Sequence, residues 1–305
     1  MKRVIQFVVN AVAVLVFVGI LIGIGSMMSV FNPPEEKVAK SSILVLELDG
    51  VIMDGKEFLE NLRKYRKDKQ VKGVLIRIAS PGGVVGPSQE MHDEIKRTRE
   101  EFNKPVIAYC SSVAASGAYY AAVAADKIYT TPGCMVGSIG ALMEFVNLEK
   151  LYDWAKIQRY AITTGKFKDA GAEYKPLTGE QRELFQEMLN DVLSQFKAAI
   201  VEGRKMKPEF LDKYADGRIF TGAQAVKLGF ADTVGTFDDA RKALGQLTGL
   251  GDDPEMFKPR RPRSLRELFM EEANTETRFS KVAEEVLQLK LSAQPLFLFP
   301  GALRF

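Results

Sequence analysis

Residues 72–110 read "KGVLIRIASPGGVVGPSQEMHDEIKRTREEFNKPVIAYC". A run apolar but for Arg77, Val74–Ala79, meets the turn residues Ser80-Pro81-Gly82-Gly83. A segment follows in which Met91, Ile95, Thr98 and Phe102 recur at helical spacing, and "KPVIAYC" restores a short apolar run. Strand, turn, amphipathic helix and strand make a βαβ unit, which requires parallel strands. The pattern continues on both sides. Upstream stand a strand in "SILVLELDG" (42–50) and a helix in "KEFLENLRKYRKD" (56–68). Downstream come a helix in "SGAYYAAVAA" (116–125) and strands in "DKIYTTP" (126–132) and "WAKIQRYAITTG" (154–165). A long helix at 178–204 opens with Thr178 and Gln181 as a capping box. A strand–helix–turn–helix unit at 216–244 is punctuated by Gly222 and Gly229. The expected fold is α/β around a mostly parallel sheet, and no period of 20–50 residues repeats.

The start of the chain has a different composition. Val4–Phe31 carries no charge, and about 20 such residues span a hydrocarbon core as a helix. Lys2 and Arg3 precede the run and Glu35 and Glu36 follow it, which orients residues 1–3 to the cytoplasm and the rest to the far side. A secretory signal has a shorter apolar region and a small-residue cleavage site, so 4–31 reads as an uncleaved transmembrane anchor. Residues 32–41 ("NPPEEKVAKS") read as a stalk, 42–250 as the folded domain and 251–263 as a linker. Residues 264–305 read as a charged helix, capped by Ser264 and Glu267, plus an apolar tail with three alternatives, on the membrane, on a neighbouring subunit or disordered, of which the apolar run favours the first two.

Composition narrows the chemistry. Lys+Arg 42 against Asp+Glu 39 leaves too small a net charge to suggest nucleic-acid binding. The single histidine, His92, and two cysteines, Cys110 and Cys134, offer no metal-ligand spacing, so no metal or cofactor is expected. "SPGG" lacks the Gly-Lys-Ser/Thr of a phosphate loop. A Ser-His-Asp triad would have to use His92, which flanks a buried helix stripe and reads as structural. What remains is "YCSSVAASGAYY" (109–120), where Ser116 sits between Ala114 and Ala118 at a strand-to-helix turn, a looser form of G-x-S-x-G. The plainer reading of Ser116 is a helix cap. Ser111 and Ser112 read as strand-end residues bonded to backbone. The glycines of "SPGG" can turn backbone N–H groups toward an oxyanion. Without histidine, a serine nucleophile needs a lysine base. Making a lysine neutral near pH 7 takes about 4 kcal/mol of desolvation and hydrogen bonding, and composition does not say which lysine.

Four blocks taken together carry a resemblance: "ASPGG", "VAASGAYYAAVAADKIYTTPGCMVGSIG", "TTGKFKDAGAEYKPLTGEQRELFQEML" and "DGRIFTGAQAVKLGFADTVG". From about Ser42 to Leu247 the chain resembles the signal peptide peptidase A family, Ser-Lys proteases of the Clp/crotonase superfamily. The resemblance implies repeated ββα units, Ser116 as nucleophile and Lys168 as general base. It further implies Ser138 as the residue bonding the lysine amine, and an oxyanion hole from Gly82, with Gly83 as second choice, joined by Gly117. Ala79 stands where the family carries Asn or Asp, Ala118 replaces a second glycine, and Val136 replaces a common threonine. Lys166 lies two places from Lys168, so the choice between them rests on the resemblance. Implied partners are remnant signal peptides and other apolar or unfolded segments, membrane lipid, and further copies of the chain in a ring or dome, an octamer among the options. The rivals are an acyl-CoA enzyme of the crotonase type, which the anchor and "AASGA" disfavour, and a non-catalytic membrane scaffold.

Overall fold

Apolar runs with buried partners on both sides become the central strands. The computed structural model describes residues 37–260 and the strand at 296–298. In chain order the first elements are β1 (Ser42–Asp49), α1 (Lys56–Tyr65), β2 (Val71–Ser80), β3 (Gly82–Val84), α2 (Val85–Glu100) and β4 (Val106–Ala115). Then follow α3 (Gly117–Ala122), β5 (Lys127–Thr130), β6 (Met135–Gly137), α4 (Glu149–Trp154), α5 (Gly179–Arg204) and α6 (Pro208–Leu211). The last are β7 (Ile219–Thr221), α7 (Gly222–Leu228), β8 (Thr233–Val234), α8 (Phe237–Leu247), β9 (Met256–Phe257) and β10 (Leu296–Leu298).

β1, β2 and β4 run parallel, with Leu48 opposite Ile78 and Val74 opposite Val106. Their side chains alternate between two cores, as the period of a strand requires. Leu44, Leu46, Val74, Ile76, Val106 and Ala108 share one core with Leu62 of α1 and with Met91 and Ile95 of α2. Ile43, Leu75, Ile107 and Tyr109 share the other with Ala240 and Leu244 of α8. Each large apolar side chain fully buried contributes about 1.5–3 kcal/mol, so burial from both faces sets the register of these strands. α1 and α2 are also tied by charge. Glu94, with a side chain 7% exposed, accepts from Arg66, which is equally buried, from Arg63 at 3.0 Å and from Arg97 at 2.8 Å.

The eight-stranded sheet runs β7-β6-β4-β2-β1-β9, with β5 and β8 branching from β4. Only the β6–β7 pair is antiparallel among these. β4 changes partner along its length: Ile107–Cys110 face β5 and Val113–Ala115 face β6. This mixed α/β architecture with a mostly parallel sheet matches the expectation. The capping box of α5 is present in both directions, with Gln181 N–H donating to Thr178 Oγ1 and Thr178 N–H to Gln181 Oε1.

Three segments differ from their reading. The strand expected in "WAKIQRYAITTG" is absent: α4 occupies Glu149–Trp154, and an irregular exposed stretch follows, with Tyr160 79% and Ile162 96% exposed. Strand propensity needs a neighbouring edge and burial, and this stretch finds neither among the described residues. The segment read as a linker contributes β9, paired parallel with Ile43 and Leu44 of β1. The tail expected on a membrane or a neighbour contributes β10, antiparallel to β3 of its own chain. Among the described residues no helix is long and apolar enough to cross a membrane. The run 4–31 and the helix expected from 264 lie outside the described residues.

Candidate active site

The carboxyl ends of three adjacent strands bring the candidate residues together. Ala114 of β4 lies opposite Ser80 of β2, and Ala115 lies opposite Gly137 of β6. One residue further on, Ser116, the Ser80-Pro81-Gly82 turn and Ser138 stand side by side. In open α/β sheets this end of the strands is where ligands bind.

Ser116 has φ 53 and ψ −117, a region a non-glycine residue rarely occupies and one that costs about 1–3 kcal/mol. It is held from both sides. Its N–H donates to Gly137 O at 2.7 Å, and its carbonyl accepts Tyr120 N–H at 2.8 Å as α3 begins. Buried Ala114, Ala115, Gly117 and Ala118 leave no bulk to oppose the turn. A capping serine would accept an N–H with its hydroxyl, but Ser116 makes no such bond. Its Oγ is buried and has no hydrogen-bond partner among the described residues. A hydroxyl left so costs about 1–3 kcal/mol, and it does not make the bond that a helix-capping serine would make.

The glycine turn has two distinct edges. Gly82, at φ 95, donates its N–H to Ser80 Oγ at 3.2 Å. Ser80 thus braces the turn from its own side chain, and sequence reading did not single it out. Ile52 grips β3: its N–H donates to Gly82 O at 2.9 Å, and its carbonyl accepts Val84 N–H at 2.8 Å. A Cβ on Gly83 would fall 2.0 Å from that Ile52 carbonyl, so only glycine permits the approach. With Gly82 O and Val84 N–H turned to Ile52, the N–H and C=O of Gly83 point to the opposite edge. Gly117 opens α3, where first-turn amides lack intrahelical partners. Ser138 is buried at φ 52, and its N–H donates to Arg218 O at 2.8 Å. Before it, Gly137 adopts φ 111 against the Phe220 ring, which a Cβ would approach to 2.9 Å.

The lysines lie elsewhere. Lys166 and Lys168 sit on exposed turns rather than a strand. Lys166 pairs with Glu180 at 2.6 Å, while Lys168 makes no ion pair among the described residues and does not reach Ser116 Oγ within the chain. Asp169 is engaged by Lys175 and Tyr174, which hold its carboxyl below the ordinary range. Burial pushes the Lys104 amine down, but Lys104 bonds the carbonyls of Asp68 and Val71 beside the start of β4, about 30 Å along that strand from Ser116.

The other candidate nucleophiles are silent. Cys110 and Cys134 are free and buried, and burial pushes both thiols up, away from the reactive thiolate. Ser111 donates to Ile78 O at 3.0 Å, as a strand-end serine should. His92 is buried, more so than its place beside the stripe suggested, with Nδ1 3.0 Å from Asp93 and its ring edge-on to Tyr120. No cluster of His, Cys, Asp and Glu that could hold a metal occurs among the described residues.

Comparison with known proteins shows the family. The profile of Peptidase family S49 matches residues 98–251, half of the chain, including Ser116, Ser138 and Lys168. A Synechocystis sp. protein carrying the name protease slr0021 is 34% identical over 222 residues, covering 72% of this chain and 79% of that one. An Enterococcus faecium protein carrying the name signal peptide peptidase SppA is 32% identical over 232 residues, covering 72% and 67%. Protease 4 of Salmonella typhi is 30% identical over 218 residues, 68% of this chain but 35% of its own length. The chain is a serine peptidase and belongs to Peptidase family S49, among relatives named SppA and protease 4.

Proposed function

We propose that the protein is a membrane-anchored endopeptidase that cuts remnant signal peptides and other apolar or unfolded segments through a Ser116–Lys168 dyad. The buried, unpartnered Ser116 Oγ on its strained turn is the observation that carries this reading. In the reaction neutral Lys168 takes the Ser116 proton, and Oγ attacks the peptide carbonyl. Backbone amides drawn from Gly82, Gly83 and Gly117 stabilise the oxyanion. As the tetrahedral intermediate collapses, the C–N bond breaks and the departing amine takes the proton from Lys168. Water, deprotonated by Lys168, then hydrolyses the acyl ester and restores Ser116. Ser138 positions the lysine amine. The uncharged run 4–31 supplies the anchor, with the catalytic domain beyond the membrane on a Clp/crotonase-like frame.

Lys168 must come to Ser116 from an exposed segment. That segment also displays Trp154 at 80%, Tyr160 and Ile162 to solvent, which suits burial against a second copy of the chain. A homo-oligomeric ring or dome therefore completes the site. The full chain in detergent should cleave an unstructured apolar peptide, and Ser116→Ala and Lys168→Ala should each abolish cleavage. Cleavage that persists in Ser116→Ala would overturn the mechanism. Activity kept in Lys168→Ala but lost in Lys166→Ala would move the base.

A further inference from the structure

The folded domain is entered at the amino end of its sheet, and the side chains around that entry are basic. Ser42 opens β1 opposite Val71 of β2, and its N–H donates to Gln70 O at 2.9 Å. Ser41 Oγ donates to Gln70 Oε1 at 3.0 Å. The turn between α1 and β2 is thereby fastened to the point where the chain enters. That turn reads Lys67-Asp68-Lys69-Gln70, Lys72 follows on β2, and Lys40 stands just before β1. Lys40, Lys67, Lys69 and Lys72 are exposed, and none makes an ion pair among the described residues. Lys104, from the turn before β4, fixes the same place from behind, its amine donating to the carbonyls of Asp68 and Val71.

Most carboxylates at this end are engaged. Asp68 accepts Gln70 N–H at 2.8 Å, Glu101 pairs with Arg97 and Asp126 with Arg99. Asp252 pairs with Lys242 and Asp253 with Arg241, which leaves Glu255 exposed without an ion pair among the described residues. Like charges crowded on one face repel, so the four lysines gain from an anionic partner. The sequence says which partner is near. Only six residues, 32–37, separate the uncharged run 4–31 from Val38, the first buried side chain of the domain. A chain of that length spans at most about 25 Å.

We propose that Lys40, Lys67, Lys69 and Lys72 form a docking surface for the anionic phosphate headgroups of the bilayer that holds the run 4–31. The proposal rests on the membrane-anchor reading and adds to it an oriented contact through the amino end of the sheet. Ammonium groups on flexible stems, spread over one turn and two strand starts, suit a fluid array of phosphates rather than a single bound ion. Ser116, about 30 Å off along β4, is left clear of the headgroups and open to segments that have come out of the bilayer.

The full chain in nanodiscs tests this, with phosphatidylcholine alone or mixed with about one-third phosphatidylglycerol. Lysine reactivity is read by reductive dimethylation and mass spectrometry. In the anionic discs Lys40, Lys67, Lys69 and Lys72 should react about threefold or more slowly than in the neutral discs, while the exposed Lys213 and Lys227 react alike in both. Salt at about 1 M, where the Debye length is about 3 Å, should remove the difference. A full-length chain combining Lys67→Gln, Lys69→Gln and Lys72→Gln should keep its circular dichroism, and its Lys40 should lose protection in the anionic discs. Equal reactivity in both discs, or equal protection of Lys213 and Lys227, would overturn the proposal. So would protection by inorganic phosphate or duplex DNA in detergent, which would point to a free anion or another polyanion. A chain stripped from phosphatidylglycerol vesicles by alkaline carbonate, yet protected at these lysines, would sink the anchor reading and leave the docking surface standing.

Discussion

Gly83 shows how a single missing side chain can place a turn. Its backbone lies so close to Ile52 that any Cβ must push the two apart. In the proposed mechanism, where this turn supplies the oxyanion amides, Gly83→Ala should lower kcat about 100-fold or more. Peptide-hydrolysis kinetics alongside circular dichroism would check this, with secondary structure retained. Glu94 carries a different kind of constraint. Burial alone would raise its carboxyl, but bonds from Arg63 and Arg66 outweigh burial and hold it below its ordinary value of 4.5. Glu94→Ala leaves the buried Arg66 without its carboxylate and should cost about 3 kcal/mol of stability in chemical denaturation. Because the folded-state value is depressed, this stabilisation is present above about pH 4.5 and is lost as pH falls through the lower folded-state value. Wild type should lose stability across that acid range more steeply than Glu94→Ala.

Among the elements, the helices were the most legible. Thr178 and Gln181 announce the start of α5 through neighbours three residues apart, and the structure forms that box in both directions. Thr178→Ala should cost about 1 kcal/mol, read as a lower denaturant midpoint at unchanged slope. Of the stripe read as Met91, Ile95, Thr98 and Phe102, the first three are buried on α2, while Phe102 lies past its end at Glu100 and is half-buried. Short strands were less legible. "WAKIQRYAITTG" has the composition of a strand but no edge to join, whereas Met256-Phe257, within a polar segment, pairs with β1. Pairing energy comes from the partner, so a run's own residues do not decide it.

In the molecule as a whole, the proposed dyad turns on the separation of Ser116 from the exposed Lys168, which do not meet among the described residues. If neighbouring copies supply the two groups, mixing dissociated Ser116→Ala and Lys168→Ala chains and reassembling them should restore cleavage that neither shows alone. Continued inactivity of the mixed oligomer would place both groups on one chain. Local order sufficed to read the parallel α/β sheet, the glycine turn and Ser116 as the serine between small residues, because periodicity, capping and turn chemistry act among residues a few places apart. The side-by-side placement of Ser116, Ser138 and the glycine turn was not legible in that way. Nor were the grip of Ile52 on Gly83, the orphaned hydroxyl of Ser116, or the meeting of the tail with β3 across more than two hundred residues. Each of these depends on strand edges and buried surfaces that exist only after distant segments have packed.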